Sequence, residues 1–376
     1  MTPGTLAGAP PVPTRVPPGR PPSALRVLAA GGLALFVAST AGVGRLVETT
    51  AVALEVLFLA FFLRHFAFAV AALRYPPRSP APTGGEAAFT PTVTVLVAAK
   101  NEESVVNGLV RSLLAIEYPA DRVQLVVVDD GSTDRTGAFL DEWAAEEPTI
   151  RCIHRRAGDA AGKSAALNAA LPVATGEVIV VFDADHRPAP DAVRRLVSHF
   201  RDPRVGAVQG RCEIQNPGDS MVARLVSIDY FAGYLVNEYG RQLLFQLPAY
   251  GGANCAVRAA SVRAAGGWNE GSVTEDTDLT LRLLLRGERV RYDVFAVDRE
   301  EGAVTLSRYW RQRYRWARGH QQVWRDYRRQ VLTSPRLDAA QKLETTMFLF
   351  VFHLPVAAAL GLVVAGLWAV GVASPG

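Results

Sequence analysis

Asp183 and Asp185 stand two residues apart at the end of the run Val178-Ile179-Val180-Val181-Phe182. A stretch of β-branched and aromatic residues without a polar break reads as a strand buried on both faces, as in a parallel sheet. In an extended chain the side chains at i and i+2 leave the same face, with Cα atoms roughly 6–7 Å apart. Two unpaired carboxylates at a buried strand end are costly, so they require a partner. A divalent cation carrying a diphosphate meets that need, because hard oxygen ligands suit Mg²⁺ or Mn²⁺. A solvated turn ended by His186 and Pro188 is the plainer alternative, and the tripeptide alone does not choose.

Other acidic and glycine-rich turns raise the first reading. Val126-Val127-Val128-Asp129-Asp130-Gly131-Ser132-Thr133-Asp134 is a buried strand, an acidic turn and a helix start. Ser132 or Thr133 is a candidate N-cap. A capped turn explains one Asp and the Gly but not both carboxylates, and an Asp at a strand end can accept from the ring N–H of a uracil. Lys100-Asn101-Glu102-Glu103 ends an earlier strand in a similar way, although acids at a helix start explain it equally well. Gly158 to Ser164 resembles a P-loop, but its glycines, Gly158 and Gly162, are separated by three residues rather than the four a P-loop needs. Lys163 and the helix behind it can still meet a diphosphate. Gly251-Gly252-Ala253-Asn254 permits close backbone approach to a ligand, or is a simple turn. Thr274-Glu275-Asp276-Thr277-Asp278 opens a helix that Thr274 or Thr277 could cap, with acids suited to its dipole. One of these carboxylates, held near an acceptor hydroxyl, could instead be a general base. Gln312-Arg313-Tyr314-Arg315-Trp316 offers an arginine for a leaving diphosphate and an indole for a sugar ring, and Trp310 and Trp324 offer indoles too.

Positioning these groups requires an alternating pattern, and the sequence supplies one. Strands are expected at Val93 to Ala98, Val123 to Val128, Cys152 to His154 and Val178 to Phe182. Helices are expected over Glu103 to Ile116, Thr133 to Ala145 and Lys163 to Leu171, then Leu225 to Leu247 and Asp278 to Arg286. Strand–helix–strand repeats imply right-handed crossovers and a parallel sheet, whose ligands bind at the carboxyl ends of the strands. Around this domain, residues 1–23 read as a disordered Pro-rich tail. Apolar stretches at 24–43 and 49–73 are each near the ~20 residues that span hydrocarbon. Arginines outside both stretches predict a hairpin turning near Gly44 to Glu48, with both flanks cytosolic. Arg64 and His65 interrupt the second stretch, and either face another helix or snorkel. Residues 74–92 form a linker, 93–302 the catalytic domain and 303–342 a basic, aromatic helical segment suited to a membrane surface. A third span, from about Thr346 to Val372, lies in the last region, 343–376. The net charge of +4 is small, so nucleic acid is not an expected partner. Three widely spaced cysteines suggest neither zinc nor disulfides, and hence a reducing compartment.

Asp-Asp-Gly-Ser, Asp-Ala-Asp, Thr-Glu-Asp and Gln-x-x-Arg-Trp, in this order and between apolar spans, resemble the family 2 inverting glycosyltransferases. More narrowly they resemble membrane-embedded processive synthases of cellulose, hyaluronan and poly-N-acetylglucosamine. Over about residues 90 to 325, the resemblance implies a GT-A, Rossmann-like α/β domain with a mostly parallel sheet, facing the cytosol and flanked by transmembrane helices of the plasma membrane. It also implies a UDP-sugar donor and Mg²⁺ or Mn²⁺. Donor contacts would come from Asp129, Asp130, Lys163, Asp183, Asp185, Gln312 and Arg315, with Asp130 on the uracil and Asp185 as metal ligand. Asp276 would be the catalytic base, and Gly251, Gly252, Glu275 and Trp316 would face a saccharide or lipid-linked acceptor. The main expectation is therefore transfer of a hexose or N-acetylhexosamine to a growing β-linked polysaccharide. Such synthases carry further spans after the Gln-x-x-Arg-Trp helix, so either a truncated chain or a partner subunit completing a channel is also implied. A single transfer to a lipid is the alternative, and a non-catalytic membrane scaffold the remote one.

Overall fold

The computed structural model describes residues 42–78, 89–156 and 162–371. The expected tail, the first apolar stretch and most of the Gly158–Gly162 turn lie outside the described residues. Within them the chain runs α1 (Val43–Arg74), β1 (Val93–Ala99), α2 (Val106–Leu114), β2 (Val123–Asp129), α3 (Thr136–Glu146), β3 (Ile150–His154), α4 (Lys163–Ala170) and β4 (Val178–Asp183). There follow β5 (Arg187–Pro188), α5 (Ala192–Ser198), β6 (Val205–Ile214), α6 (Met221–Ala232), α7 (Tyr239–Phe245), β7 (Cys255–Arg258), α8 (Ala259–Ala264) and α9 (Glu275–Arg286). The described chain ends with β8 (Arg289–Glu300), α10 (Leu306–Thr333), α11 (Ala339–Phe350) and α12 (Leu354–Ala369).

The strands form one eight-stranded mixed sheet in the order β3-β2-β1-β4-β7-β6-β8-β5. The first four are parallel, as the alternating pattern predicts. β7 then runs antiparallel to both β4 and β6, and the short β5 runs antiparallel to β8. Alternate side chains of one strand feed two cores. Ile179 and Val181 face a layer that includes α9 and α10, while Val178, Val180 and Phe182 face α2 and α5. This is the GT-A arrangement, a curled α/β sheet covered on both faces.

Several local expectations change. Neither Ser132 nor Thr133 caps α3. The Ser132 hydroxyl accepts from Asn101 N at 2.9 Å, and Asp134 Oδ1 accepts from Thr136 N at 3.0 Å instead. Thr274 precedes α9 without a capping bond, and the helix begins at Glu275, earlier than expected. The single helix expected over 225–247 is α6, a π-helical segment at Gly233–Glu238, and α7.

The expected hairpin near Gly44 to Glu48 is helical, because α1 starts at Val43. Two helices among the described residues are long and apolar enough to cross a membrane. They are α1 and the continuous Ala339–Ala369 rod of α11, a 3₁₀ turn at Val351–His353, and α12. Much of their surface is apolar and open to the surroundings, as at Val56, Phe62 and Leu63 of α1 and Leu362 of α12. Arg64 neither snorkels nor lies free. It faces α11, where Glu344 accepts from its Nε at 2.7 Å.

Candidate active site

The carboxyl ends of β1, β2 and β4 share one rim of the sheet. Because β7 runs the other way, its first residue, Cys255, pairs with Val181 and brings the preceding loop to that same rim. α9 starts there too, and α10 crosses its first turn closely. A Cβ at Gly319 would sit 2.3 Å from Thr274 Cγ2, so only glycine allows this approach. The acidic turns read from separate parts of the sequence therefore meet at one edge.

Two neighbouring residues tie the turns together. Gly162 N donates to Asp130 Oδ2 at 2.9 Å, and the Lys163 ammonium pairs with Asp183. Asp130 also pairs with Arg155 and lies 3.9 Å from Lys100 Nζ. Asp129 does not join this site. Successive strand residues point to opposite faces, and its carboxylate accepts from Ser132 N at 2.9 Å and from His154 Nδ1 at 3.0 Å beneath α3. Burial would raise its pKa, but these hydrogen bonds outweigh that and hold it below the usual range. Its expected donor role is replaced by a structural one.

Asp183 and Asp185 differ although they share a strand end. Burial of Asp183 is outweighed by Lys163 and His186, so its carboxyl lies below the usual range. For Asp185 burial wins and neighbouring Asp183 adds to it, pushing the carboxyl up against the pull of His186. The nearest cationic atom to Asp185 is His186 Nε2 at 3.9 Å, and that nitrogen already donates to Glu300 at 2.9 Å. The other ring nitrogen of His186 pairs with the fully buried Asp298. Glu102, for which a strand-end turn and a helix start were both open, is pushed up to about 7 by burial and by Asp185, with Arg308 opposing. This part of the rim gathers the carboxylates of Glu102, Asp183 and Asp185 beside the Lys163 ammonium, and burial disfavours the charge of Glu102 and Asp185. It fits Mg²⁺ or Mn²⁺, which would restore the ionised forms.

Across the rim, burial and the adjacent Asp276 push Glu275 up to about 7. Asp276 is also raised, by burial first, while hydrogen bonds from Thr277 and the charges of Lys163 and Arg315 oppose. Its Oδ1 accepts from Thr277 N at 2.5 Å and from the Thr277 hydroxyl at 3.2 Å. Its Oδ2 faces Gly252, whose φ is +80° and whose added Cβ would lie 3.0 Å from that oxygen. The loop is held by a residue that sequence reading missed. Buried Gln209 accepts from Gly251 N at 2.6 Å and donates to Ala253 O at 2.9 Å. Nothing in the alternating pattern of β6 marks one buried amide as a loop support. On α10, Arg315 is exposed toward the rim, Trp316 is half-buried beneath the Arg313 guanidinium at 4.4 Å, and Gln312 Oε1 is buried without a partner. Asp278 is not part of the site: Arg282, Asn269 and Tyr327 all bind it.

Residues 91–319, which include this rim, match the family described as glycosyltransferase like family 2. The chain is a family 2 glycosyltransferase. It is 37% identical over 298 residues to a beta-monoglucosyldiacylglycerol synthase of Synechocystis sp., covering 78% of this chain and 61% of that protein. A poly-beta-1,6-N-acetyl-D-glucosamine synthase of Staphylococcus aureus is a more distant relative, 27% identical over 237 residues that cover 62% of this chain and 56% of that one. The chain thus spans about three fifths of the length of such relatives. Among solved structures, a mannosyltransferase of Pyrobaculum calidifontis in complex with GDP-Man and Mn²⁺ superposes with a TM-score of 0.68 at 25% identity, covering 86% of this chain and 87% of that one. The relatives therefore move the resemblance away from processive polysaccharide synthases and toward enzymes that glycosylate a lipid.

Proposed function

We propose that this glycosyltransferase moves one hexose or N-acetylhexosamine from a UDP-sugar to the hydroxyl of a lipid at a membrane face, with inversion at C1. The lipid acceptor is favoured by the diacylglycerol-glycosylating relatives and by the two apolar helices packed on the domain. The observation that carries the chemistry is Asp276, with one oxygen held by Thr277 and the other turned to the glycine loop, across from the Lys163–Asp183–Asp185 cluster.

In this reading Asp276 Oδ2 takes the proton of the acceptor hydroxyl as that oxygen bonds to C1. The bond from C1 to the diphosphate oxygen breaks on the opposite face, and its electron pair leaves with UDP. Burial suits a base, because it raises the carboxylate's proton affinity at the moment of transfer. Lys163 and Arg315 face the charge that develops on the leaving diphosphate. Asp185, with Asp183 behind it, would hold the divalent ion, which when bound neutralises diphosphate charge. Asp130 would meet the uracil after yielding one of its present partners. Glu275, Gly251, Gly252 and Trp316 would line the acceptor side, and Gln312 the donor side. A lipid product needs no channel, so the channel-completing partner drops out.

The test incubates the purified chain in detergent with Mn²⁺, diacylglycerol and radiolabelled UDP-glucose or UDP-N-acetylglucosamine, then separates the products. A single glycolipid supports the proposal. A polymer instead would restore the polysaccharide reading suggested by Gln312-x-x-Arg315-Trp316 and the more distant relative. No UDP release, and no UDP–Mn²⁺ binding by calorimetry, would leave only the scaffold.

A further inference from the structure

His320 has no part in the chemistry described above, yet it is nine-tenths buried one helical turn beyond Trp316. Its ring lies between two phenylalanines of the apolar C-terminal rod, Phe348 and Phe352, at centroid distances of 4.9 and 4.8 Å. Its Nε2 is 3.3 Å from the Thr277 hydroxyl, and its Nδ1 is buried with no partner. Gly319 makes this reach possible by letting α10 press on the start of α9.

The hydrogen-bond order follows from donor arithmetic. Thr277 has one hydroxyl proton, and it is directed to Asp276 Oδ1 at 3.2 Å. Toward His320 the hydroxyl is therefore an acceptor, so Nε2 carries the ring proton. Burial and the nearby Arg241 push His320 down to about 3, so the ring is neutral and Nδ1 is bare. An apolar residue would fill the same aromatic slot without stranding a buried acceptor, which argues that the Nε2 donor is the reason for a histidine here.

We propose that His320 is a positioning residue for the transfer reaction: through the Thr277 hydroxyl it fixes the carboxylate of Asp276, leaving Oδ2 turned to the acceptor. The charged and titratable groups facing Asp276 are Glu275 beside it, Lys163 of α4, Arg315 of α10 and Cys255 of β7, while Arg241 of α7 faces His320. All of them are retained in the variants below. The role deepens the reading of Asp276 as base and rests on it.

The experiment records pH profiles of kcat/KM, with KM for donor, for the full chain and for His320→Met, His320→Gln, Thr277→Val and the double variant H320M/T277V. A hydrogen bond to an ionised carboxylate lowers its pKa, so losing the Thr277 donor, or losing the alignment that His320 gives it, moves the acidic limb to higher pH. In H320M, kcat is expected to fall about tenfold with donor KM unchanged and the acidic limb shifted upward, the signature of a lost transition-state contact. H320Q returns a donor amide to the Nε2 position and is expected near wild type. T277V is expected to match H320M, and the double variant to be no worse than either, because both cut one chain of bonds. An acidic limb unmoved in H320M and T277V, or effects that multiply in the double variant, would overturn the proposal. If H320M fails to fold, T277V in the H320Q background decides by the same limb. Asp276→Asn separates the two readings: turnover retained there sinks the base and this role together, whereas an inactive D276N with an unmoved limb in H320M sinks this role alone.

Discussion

Two charged clusters in this protein are built on opposite plans. Beneath the catalytic domain, Glu344 of α11 is almost fully buried and accepts from Arg64 Nε at 2.7 Å and Arg241 Nε at 2.9 Å. Arg241 also donates to Glu238 at 3.1 Å, and Glu238 accepts from Ala249 N at 2.7 Å. Two acids meet two bases, the Arg241 guanidinium stacks 3.9 Å from the Phe348 ring centroid, and the cluster is closed. At the rim, Asp183, Asp185, Glu275 and Asp276 face Lys163 and Arg315, which leaves acid in excess, partly buried and poorly matched. The balanced cluster locks α1 and α11 to the domain. The unbalanced one spends stability to hold a site that a cation and a diphosphate complete.

Breaking each cluster should therefore have opposite consequences. The largest expected effect is on turnover. Asp276→Asn should lower kcat by about 10³-fold, within the usual range for a general base, while calorimetry still detects nucleotide binding. Near-normal turnover would remove Asp276 from the reaction. Asp185→Asn should abolish Mn²⁺-dependent nucleotide binding while the melting temperature of the metal-free protein holds or rises, because a disfavoured charge has gone. A fall in melting temperature would place Asp185 in the closed class instead.

Next comes the lower cluster. Glu344→Ala leaves two buried guanidinium groups without their shared carboxylate, and should cost about 3–5 kcal/mol in denaturant unfolding in detergent. An unchanged midpoint would show that the cluster is solvated. Gly252→Ala should cost less stability but still impair turnover, since φ is +80° and the new methyl meets Asp276.

The smallest effect is one of pH. Glu102 and Glu275, both pushed up to about 7, are protonated more readily folded than unfolded. Their contribution is full below the unfolded value near ~4.3 and is lost as pH rises through about 7. His186, raised well above its usual value, acts in the same direction, while His320 opposes only below about 6.5. Metal-free protein should therefore melt lower at pH 8 than at pH 6.5, and saturating Mn²⁺ with UDP should flatten that slope. A slope that bound ligand leaves unchanged would show that the rim acids do not meet it.

Much of the fold was legible because its determinants are local. The unbroken apolar runs at Val93, Val123 and Val178 gave the parallel half of the sheet, and the acids ending them marked the rim. The Gln312-x-x-Arg315-Trp316 helix and the apolar stretches that form α1 and the Ala339–Ala369 rod were equally readable, since each is a property of neighbouring residues. What the sequence alone left open depends on partners far away along the chain. The antiparallel β7 that carries the glycine loop to the rim is only four residues long, and it is defined by its two neighbours. Asp129 and Asp130 look alike in sequence, but strand alternation and a distant His154 send one beneath α3 and leave the other at the site. Arg64 inside an apolar helix reads as a defect until Glu344 is brought against it. His320 reads as one more polar residue until the packing of α10 on α9 sets it against Thr277. Local pattern determined which elements form and which residues carry charge. Only packing decided which of those charges are matched and which remain available to a substrate, because solvation and pairing depend on whatever lies across the interface.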